Sequence, residues 1–135
     1  MKDHLIDLLE RINSEFSGKL ISSGIEEYVS KLISKSVINT EYQNDDLIGF
    51  IAFYANNTES RIGFMSMLAI DEIYRGNSIA ERLIFKAENY LKNNNFKYFD
   101  LEVLKTNVSA IALYKKSGFS VFEEYKTYFK MRKSL

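Results

Sequence analysis

Three β-rich runs in the middle of the sequence are joined by very short connections, and this spacing constrains the fold more than any other feature. The runs are Val37 to Tyr42, Leu47 to Ala55 and Arg61 to Ile70, separated by Asn44-Asp45-Asp46 and by residues 56–60. These turns are too short for a parallel crossover, which needs about a dozen residues. The sequence therefore predicts an antiparallel meander, whose nearly continuous apolar second strand lies in the centre of a sheet.

Helical patterns stand on both sides of this meander. Apolar residues recur at helical spacing in residues 3–13 and in residues 25–34, and the segment from Phe16 to Ser23 between them is typical of a loop. The segments after Ile70 are predicted as a helix over 76–92, a strand over 96–103, a helix over 107–117 and a hairpin over 119–132. The pattern predicts one α+β domain, residues 1–135, in which a mixed sheet is flanked by helices.

Composition excludes several functional classes. The chain has 18 basic and 18 acidic residues, so it offers no basic field for nucleic acid and no polybasic membrane surface. It has no Cys, which excludes disulfides, thiol catalysis and thiolate metal sites. No apolar run approaches the length of a membrane span, and the first residues lack the apolar core of a signal peptide. We expect a cytoplasmic protein without a metal, a membrane partner or a nucleic-acid partner.

The segment from Arg75 to Ala80 lies between a predicted strand and a predicted helix. Free backbone N–H groups at a helix N-terminus bind anions, and the small side chains of Gly76, Ser78 and Ala80 allow a phosphate to approach the backbone. Arg75 adds a positive charge. The plainer alternative is that Gly76 and Ser78 only cap the helix and that Arg75 is a surface charge. The segment lacks the pattern of a Walker loop or of a dinucleotide-binding loop.

Two segments together resemble the GNAT superfamily of N-acetyltransferases. Residues 68–83 resemble its cofactor motif, Arg/Gln-x-x-Gly-x-Gly/Ala, with Ser78 in place of the usual first Gly. Residues 102–119 resemble its second motif, Val-x-x-x-Asn-x-x-Ala-x-x-Leu-Tyr-x-x-x-Gly-Phe, which is longer and more specific. The resemblance covers roughly residues 47–132. A serine is small and can form this turn if its φ stays negative.

The resemblance implies a GNAT-like fold and acetyl-CoA as the acyl donor. It implies that the strand before the loop has a bulge, in the segment Leu68-Ala69-Ile70, whose free N–H polarises the thioester carbonyl. Asn107 would contact the pantetheine arm, although it could equally be a helix N-cap. The cofactor-binding residues implied by the motifs are Leu68, Ala69, Ile70, Arg75, Gly76, Asn77, Ser78, Ile79, Ala80, Asn107 and Tyr114.

The same resemblance implies direct transfer of the acyl group to an amine. Tyr114 matches the family's usual general acid, although it could simply pack in the core. Glu102 resembles the base of the ribosomal-protein N-terminal acetyltransferases, although a solvent-facing Glu is equally consistent with a strand. Asp100 lies on the same strand face by alternation. Weaker candidates for the base are Asp71, Glu72 and a chain of water molecules.

The acceptor is the least constrained part of the interpretation. The leading hypothesis is a primary amine on a small molecule, and the alternatives are a protein N-terminus or lysine, or an acyl-CoA-binding module without catalysis. Substrate contacts in this family come from the N-terminal helices and the C-terminal hairpin. The residues that could line the acceptor pocket, rather than the core, are Tyr54, Phe64, Met65 and Met67. The residues that could pack across a homodimer interface are Phe122, Tyr125, Tyr128 and Phe129.

Overall fold

The computed structural model describes residues 1–15, 21 and 24–135. Two helices come first, followed by the three strands of the meander and then by alternating helices and strands. The elements are α1 (Lys2–Glu15), α2 (Ile25–Lys35), β1 (Val37–Gln43), β2 (Asp46–Tyr54), β3 (Ile62–Ile70), a short 3-10 helix (Glu72–Tyr74), α3 (Ile79–Asn93), β4 (Tyr98–Leu104), α4 (Val108–Lys116), β5 (Ser120–Glu124) and β6 (Tyr128–Ser134).

The strands form a six-stranded sheet in the order β1-β2-β3-β4-β6-β5. The predicted meander is confirmed, because β1 pairs with β2 and β2 pairs with β3 in antiparallel fashion. The hairpin β5–β6 is also antiparallel, and β6 pairs antiparallel with β4. Only β3 and β4 run parallel. The predicted α+β class with a mixed, mostly antiparallel sheet is therefore confirmed.

Helices cover the sheet unevenly on its two faces. One face packs against α3 and α4 around a core that includes Phe53, Leu83 and Phe99. The other face packs against α1 and α2, but only over β1, β2 and part of β3. Over β4, β5 and β6 no helix of the described ranges covers this second face, and Leu104 and Phe122 are exposed there. We call this uncovered half of the sheet the open face.

A β-bulge in β3 changes which side chains point to which face. Ala52 of β2 pairs with Met67 and Phe53 pairs with Met65, so Ser66 is an extra residue without a partner. Met65, which precedes the bulge, and Leu68, which follows it, both pack on the α3 side of the sheet, whereas Met67 packs on the α1 side. The extra residue thus shifts the alternation by one position.

Several predicted boundaries and positions need correction. The third helix begins at Ile79 and not at residue 76, because residues 76–78 form a turn before it. The bulge lies at Ser66 and not within residues 68–70, which are regularly paired with β2. The 3-10 helix after β3 was not predicted. The predicted loop from Phe16 to Ser23 lies outside the described residues, apart from Ile21. Among the described ranges, no helix has the length and apolarity needed to cross a bilayer.

Candidate active site

The only parallel strand pair separates soon after it begins. Cα partners join β3 and β4 at Ile62–Tyr98, Gly63–Phe99 and Phe64–Asp100, and no pairing follows although both strands continue. The remaining parts of β3 and β4 therefore leave a wedge in the middle of the sheet. Their unpaired backbone groups face each other across it and are available to a ligand.

A cleft of about 580 Å³ opens at this wedge, on the side where β3 leads into α3. It is lined by β3, by the loop before α3 and by α4. Of the eleven residues predicted to bind the cofactor, all except Asn77 line it. Asn77 instead donates a side-chain hydrogen bond to the carbonyl of Tyr74 at 3.1 Å, within the turn. The structure thus brings two motifs that are distant in sequence to one cleft.

The loop before α3 has the geometry of an anion site. Ser78 is the N-cap residue, and the first helical hydrogen bond runs from the N–H of Arg82 to the carbonyl of Ser78. The N–H groups of Ile79, Ala80 and Glu81 therefore have no partner within the helix. Gly76 has φ of 85°, which turns the chain toward the helix and favours glycine. Such a turn with free N–H groups suits a phosphate.

The condition that φ of Ser78 stays negative is not met. Its φ is 62° and its ψ is 17°, which is the left-handed conformation, and its side chain makes no capping hydrogen bond. A non-glycine residue in this region is strained by roughly 1–2 kcal/mol. The family's usual Gly avoids this cost, so Ser78 keeps the shape of the turn at the expense of stability.

Arg75 is already engaged by other groups in this structure. Its Nη1 and Nη2 donate to the two carboxylate oxygens of Glu15 at 2.9 and 3.1 Å, and its Nε donates to the carbonyl of Ile70 at 3.0 Å. Glu15 is the last residue of α1. The charge predicted to meet a phosphate is therefore paired with a carboxylate. Sequence reasoning missed this pair, and it also missed Lys116, which adds a positive charge to the cleft.

Asn107 and Tyr114 lie on α4, which forms one wall of the cleft. Asn107 is the N-cap, and its Oδ1 accepts a hydrogen bond from the N–H of Ala110 at 3.3 Å. Tyr114 lines the cleft, and its ring packs edge-on against Phe119. Burial raises the pKa of Tyr114 to about 12. Its hydroxyl is therefore protonated at neutral pH, as a general acid requires.

The acidic candidates for the base differ in their exposure and in the hydrogen bonds and ion pairs that they already make. Glu102 is exposed on the open face, and extending the β3–β4 register across the wedge places it level with the bulge at Ser66. Asp100 shares this face but is 2% exposed, and both of its oxygens accept hydrogen bonds from Arg132 at 2.7 and 2.9 Å. Asp71 is paired with Arg11. Of Glu102, Asp100 and Asp71, Glu102 is thus the one whose carboxylate makes no hydrogen bond to another described residue.

A second cavity of about 660 Å³ lies at the narrow end of the wedge, on the open face. Of the residues predicted for the acceptor pocket, Tyr54 and Phe64 line this cavity, whereas Met67 lines the first cleft and Met65 belongs to the core. Sequence reasoning interpreted Asn57 only as a turn residue and missed Lys130 and Arg132, which also line this cavity. No motif marks them, because segments distant in sequence form the cavity.

Several solved structures that share this fold are acetyltransferases. The aminoglycoside 6'-acetyltransferase type Ii superimposes with a TM-score of 0.84 at 19% identity, over 98% of this chain and 88% of that one. An aminoglycoside 6'-N-acetyltransferase complexed with coenzyme A gives 0.83 at 17% identity, over 98% and 89%. The PaiA N-acetyltransferase of Thermoplasma acidophilum, in complex with coenzyme A, gives 0.78 at 20% identity, over 99% and 92%. The fold is therefore that of this class of acetyltransferases.

The chain belongs to the acetyltransferase (GNAT) family, whose sequence model matches residues 5–119. This match confirms the family that the two motifs predicted.

Two curated relatives resemble part of the chain. An uncharacterised N-acetyltransferase of Dictyostelium discoideum is 36% identical over 61 residues, which are 45% of this chain and 28% of that protein. The uncharacterised N-acetyltransferase YobR of Bacillus subtilis is 33% identical over 63 residues, which are 47% of this chain and 26% of that protein. The matched segments thus cover about a quarter of each of these relatives.

Proposed function

We propose that this chain, as one domain over residues 1–135, transfers an acetyl group from acetyl-CoA to a primary amine of a small molecule. The observation that carries this proposal is the wedge between β3 and β4, which has the cleft beside α3 along its length and the cavity on the open face at its narrow end. A donor that enters from one side of the sheet and an acceptor that enters from the other meet there. The family membership supports acetyl-CoA as the donor.

The donor lies along the first cleft in this proposal. Its pyrophosphate binds the N–H groups at the start of α3, beside Gly76 and Ser78. Its pantetheine arm extends through the wedge past Asn107, where it pairs with the free backbone groups of β3 and β4. The thioester reaches the bulge at Ser66, where fixed N–H dipoles stabilise the negative charge that develops on the carbonyl oxygen.

The reaction needs two proton transfers and no covalent enzyme intermediate. The amine nitrogen attacks the thioester carbon and forms the new C–N bond, while Glu102 takes the proton that the nitrogen loses. The C–S bond then breaks, and Tyr114 gives its hydroxyl proton to the departing sulfur. Exchange with solvent returns the proton from Glu102 and restores Tyr114, so the products are the acetylated amine and coenzyme A.

The proposed acceptor side is an open cavity bounded by Tyr54, Phe64 and the turn at residues 56–60, which offers a place where a small amine can dock. A protein N-terminus or lysine remains the second candidate for the acceptor.

A thiol-release assay with acetyl-CoA and a panel of small amines tests the proposal. We expect Tyr114→Phe to lower kcat on the order of a hundredfold without changing the Kd for CoA, because only the proton donor is lost. Tyr90→Phe is the matched control, since Tyr90 lies on α3 with its ring against Phe53 and away from the cleft. Full turnover by Tyr114→Phe would remove the assigned acid. Failure of acetyl-CoA to raise the Tm would reject the enzyme itself.

A further inference from the structure

The second cavity contains more hydrogen-bond donors than acceptors. Among the described residues, the guanidinium of Arg132 bonds to Asp100 through Nε and Nη2, which leaves its Nη1 group and one N–H of Nη2 able to donate. Asn57 accepts a bond from the N–H of Ser60 through Oδ1 at 3.0 Å, and its side-chain N–H₂ has no acceptor in the described part of the chain. The carboxylate of Asp100 is the one acidic group among the described residues that line the cavity, and Arg132 occupies both of its oxygens.

Lys130 contributes a second positive charge to this cavity. It lies opposite Glu102 on β4 and opposite Glu123 on β5, yet among the described residues it forms no ion pair within 4.0 Å. Its Nζ instead lies 5.6 Å from the centroid of the Phe122 ring. Arg132 lies above the same ring at 4.0 Å. The aromatic ring and the Asp100 bonds thus hold two cationic groups side by side at the cavity.

Glu102 and Glu123 lie on either side of Lys130, on the two neighbouring strands, whereas Asp100 lies opposite Arg132. Glu102 is level with the bulge, two residues further along β4 than Asp100 and Arg132, which corresponds to roughly 7 Å along the strand. Glu123 accepts a hydrogen bond from the hydroxyl of Tyr125 at 3.0 Å. Glu102 is thus beside the proposed reaction centre, and the side chains of Lys130, Arg132 and Asn57 line the cavity.

We propose that the acceptor is an amine that carries its own anionic group, a carboxylate or a phosphate, roughly 7 Å from the reacting nitrogen. This inference rests on the proposed function. The amine lies beside Glu102 at the bulge, and the anionic group binds Lys130, the free N–H groups of Arg132 and the side-chain N–H₂ of Asn57. A polycationic amine is disfavoured, because its second cation would lie against Lys130 and Arg132.

A matched series of amines tests the inference. The series is δ-aminovalerate, pentylamine and cadaverine, which share a five-carbon chain and end in a carboxylate, a methyl group and an ammonium; aminopropyl phosphate distinguishes phosphate from carboxylate. We expect kcat/KM for one of the two anionic amines to exceed that for pentylamine about tenfold, the effect of one partly shielded charge pair, with cadaverine the poorest substrate. Equal or higher kcat/KM for pentylamine overturns the inference and leaves the proposed function standing.

Two variants test whether Lys130 and Asn57 cause the preference for an anionic amine. Lys130→Met is expected to reduce the ratio between the anionic amine and pentylamine to near one. Asn57→Asp keeps the acceptor for the N–H of Ser60 but places a negative charge in the cavity, so it should invert the preference toward cadaverine. Lys126→Met is the matched control, because Lys126 is exposed in the turn between β5 and β6 and does not line the cavity. If Lys130→Met and Lys126→Met behave alike, the assignment is wrong.

A binding measurement separates the two proposals if no amine is acetylated. Calorimetric titration of δ-aminovalerate and of aminopropyl phosphate into the CoA-saturated protein should show binding of one of them to the wild type and its loss in Lys130→Met. That result would keep the anion site although the transfer activity had failed. No binding to the wild type, or equal binding to both proteins, would overturn the anion site itself.

Discussion

Ser78 shows how one residue can preserve a binding turn at a cost in stability. The cradle of free N–H groups before α3 needs a left-handed residue at this position, and a serine adopts that conformation with strain. Its hydroxyl makes no capping bond that would offset the strain. The chain thus retains the shape of the anion site while giving up part of the stability that a glycine would provide.

Ser78→Gly is expected to raise the free energy of unfolding by about 1 kcal/mol, because relief of the strain exceeds the entropy cost of adding a glycine. The change is measured as a shift in the midpoint of urea unfolding at an unchanged m-value. Ser78→Ala is the control, since it removes the hydroxyl and keeps the strain, and its stability should equal that of the wild type. A destabilised glycine variant would show that the serine hydroxyl contributes to the turn.

At the scale of elements, α1 forms two ion pairs with the segment between β3 and α3, in the region of the predicted cofactor motif. Its last residue, Glu15, holds Arg75 of the anion loop, and Arg11, one turn earlier, holds Asp71 just after β3. A phosphate that binds Arg75 must compete with the Glu15 carboxylate. We therefore expect binding of the proposed donor to be coupled to the C-terminal end of α1, on the side of the sheet where the acceptor is proposed to bind.

Glu15→Gln is expected to tighten CoA binding about two- to fivefold, because it removes the charge that competes for Arg75 in a largely exposed ion pair. Calorimetry at low salt measures the Kd, and the gain should shrink as ionic strength rises. Glu10→Gln is the control, since it removes an exposed charge of the same helix without a partner at the loop. Weaker CoA binding by Glu15→Gln would mean that Glu15 positions Arg75 and does not compete with the ligand.

At the scale of the whole molecule, Lys133 links three elements around the α3 face of the sheet. From β6 it forms an ion pair with Glu88 of α3 at 2.6 Å and donates to the carbonyl of Ser117, at the end of α4, at 2.7 Å. Glu88 is 5% exposed. This contact fixes α3 and α4, which carry the two halves of the cofactor cleft, to the same strand.

Lys133→Met is expected to cost about 3 kcal/mol of stability, because it leaves the Glu88 carboxylate buried without its partner. The same loss should be much smaller when Glu88→Leu is present, and a double-mutant cycle by chemical denaturation measures the difference. Lys126→Met serves again as the surface control and should change stability by less than about 0.5 kcal/mol. Additive effects of Lys133→Met and Glu88→Leu would show that the pair is not coupled.

The sequence was most informative where local pattern decides structure. Short connections predicted the meander, helical spacing predicted α1, α2 and the core face of α3, and the two motifs predicted residues that share one cleft. The rest depends on tertiary geometry. The position of the bulge follows from how β3 pairs with β2, and the φ of Ser78 follows from the shape of the loop. The second cavity is formed by residues that are distant in sequence, namely residues 54–64, Asp100, Lys130 and Arg132.

Some of the predicted assembly features remain open to experiment. Phe122 and Tyr128 lie on the open face, and Tyr125 stacks on Tyr128 with ring centroids 4.7 Å apart, whereas Phe129 packs against the core on the other face. The predicted aromatic dimer surface is therefore smaller than the sequence indicated. Homodimer formation and a cytoplasmic location stay predictions.

The bulge at Ser66 has a consequence for how chains with this fold can diverge. Met65 and Leu68 pack on the same side of the sheet, and Met67 packs on the other, because Ser66 is an extra residue between Met65 and Met67. Loss of Ser66 would leave Met65, Met67 and Leu68 alternating regularly opposite Phe53, Ala52 and Ile51, so all three would keep their present sides. Such a deletion would remove the bulge without turning the core residues around it. At this one position, a change of length is therefore a change that the core can absorb, at the cost of the bulge.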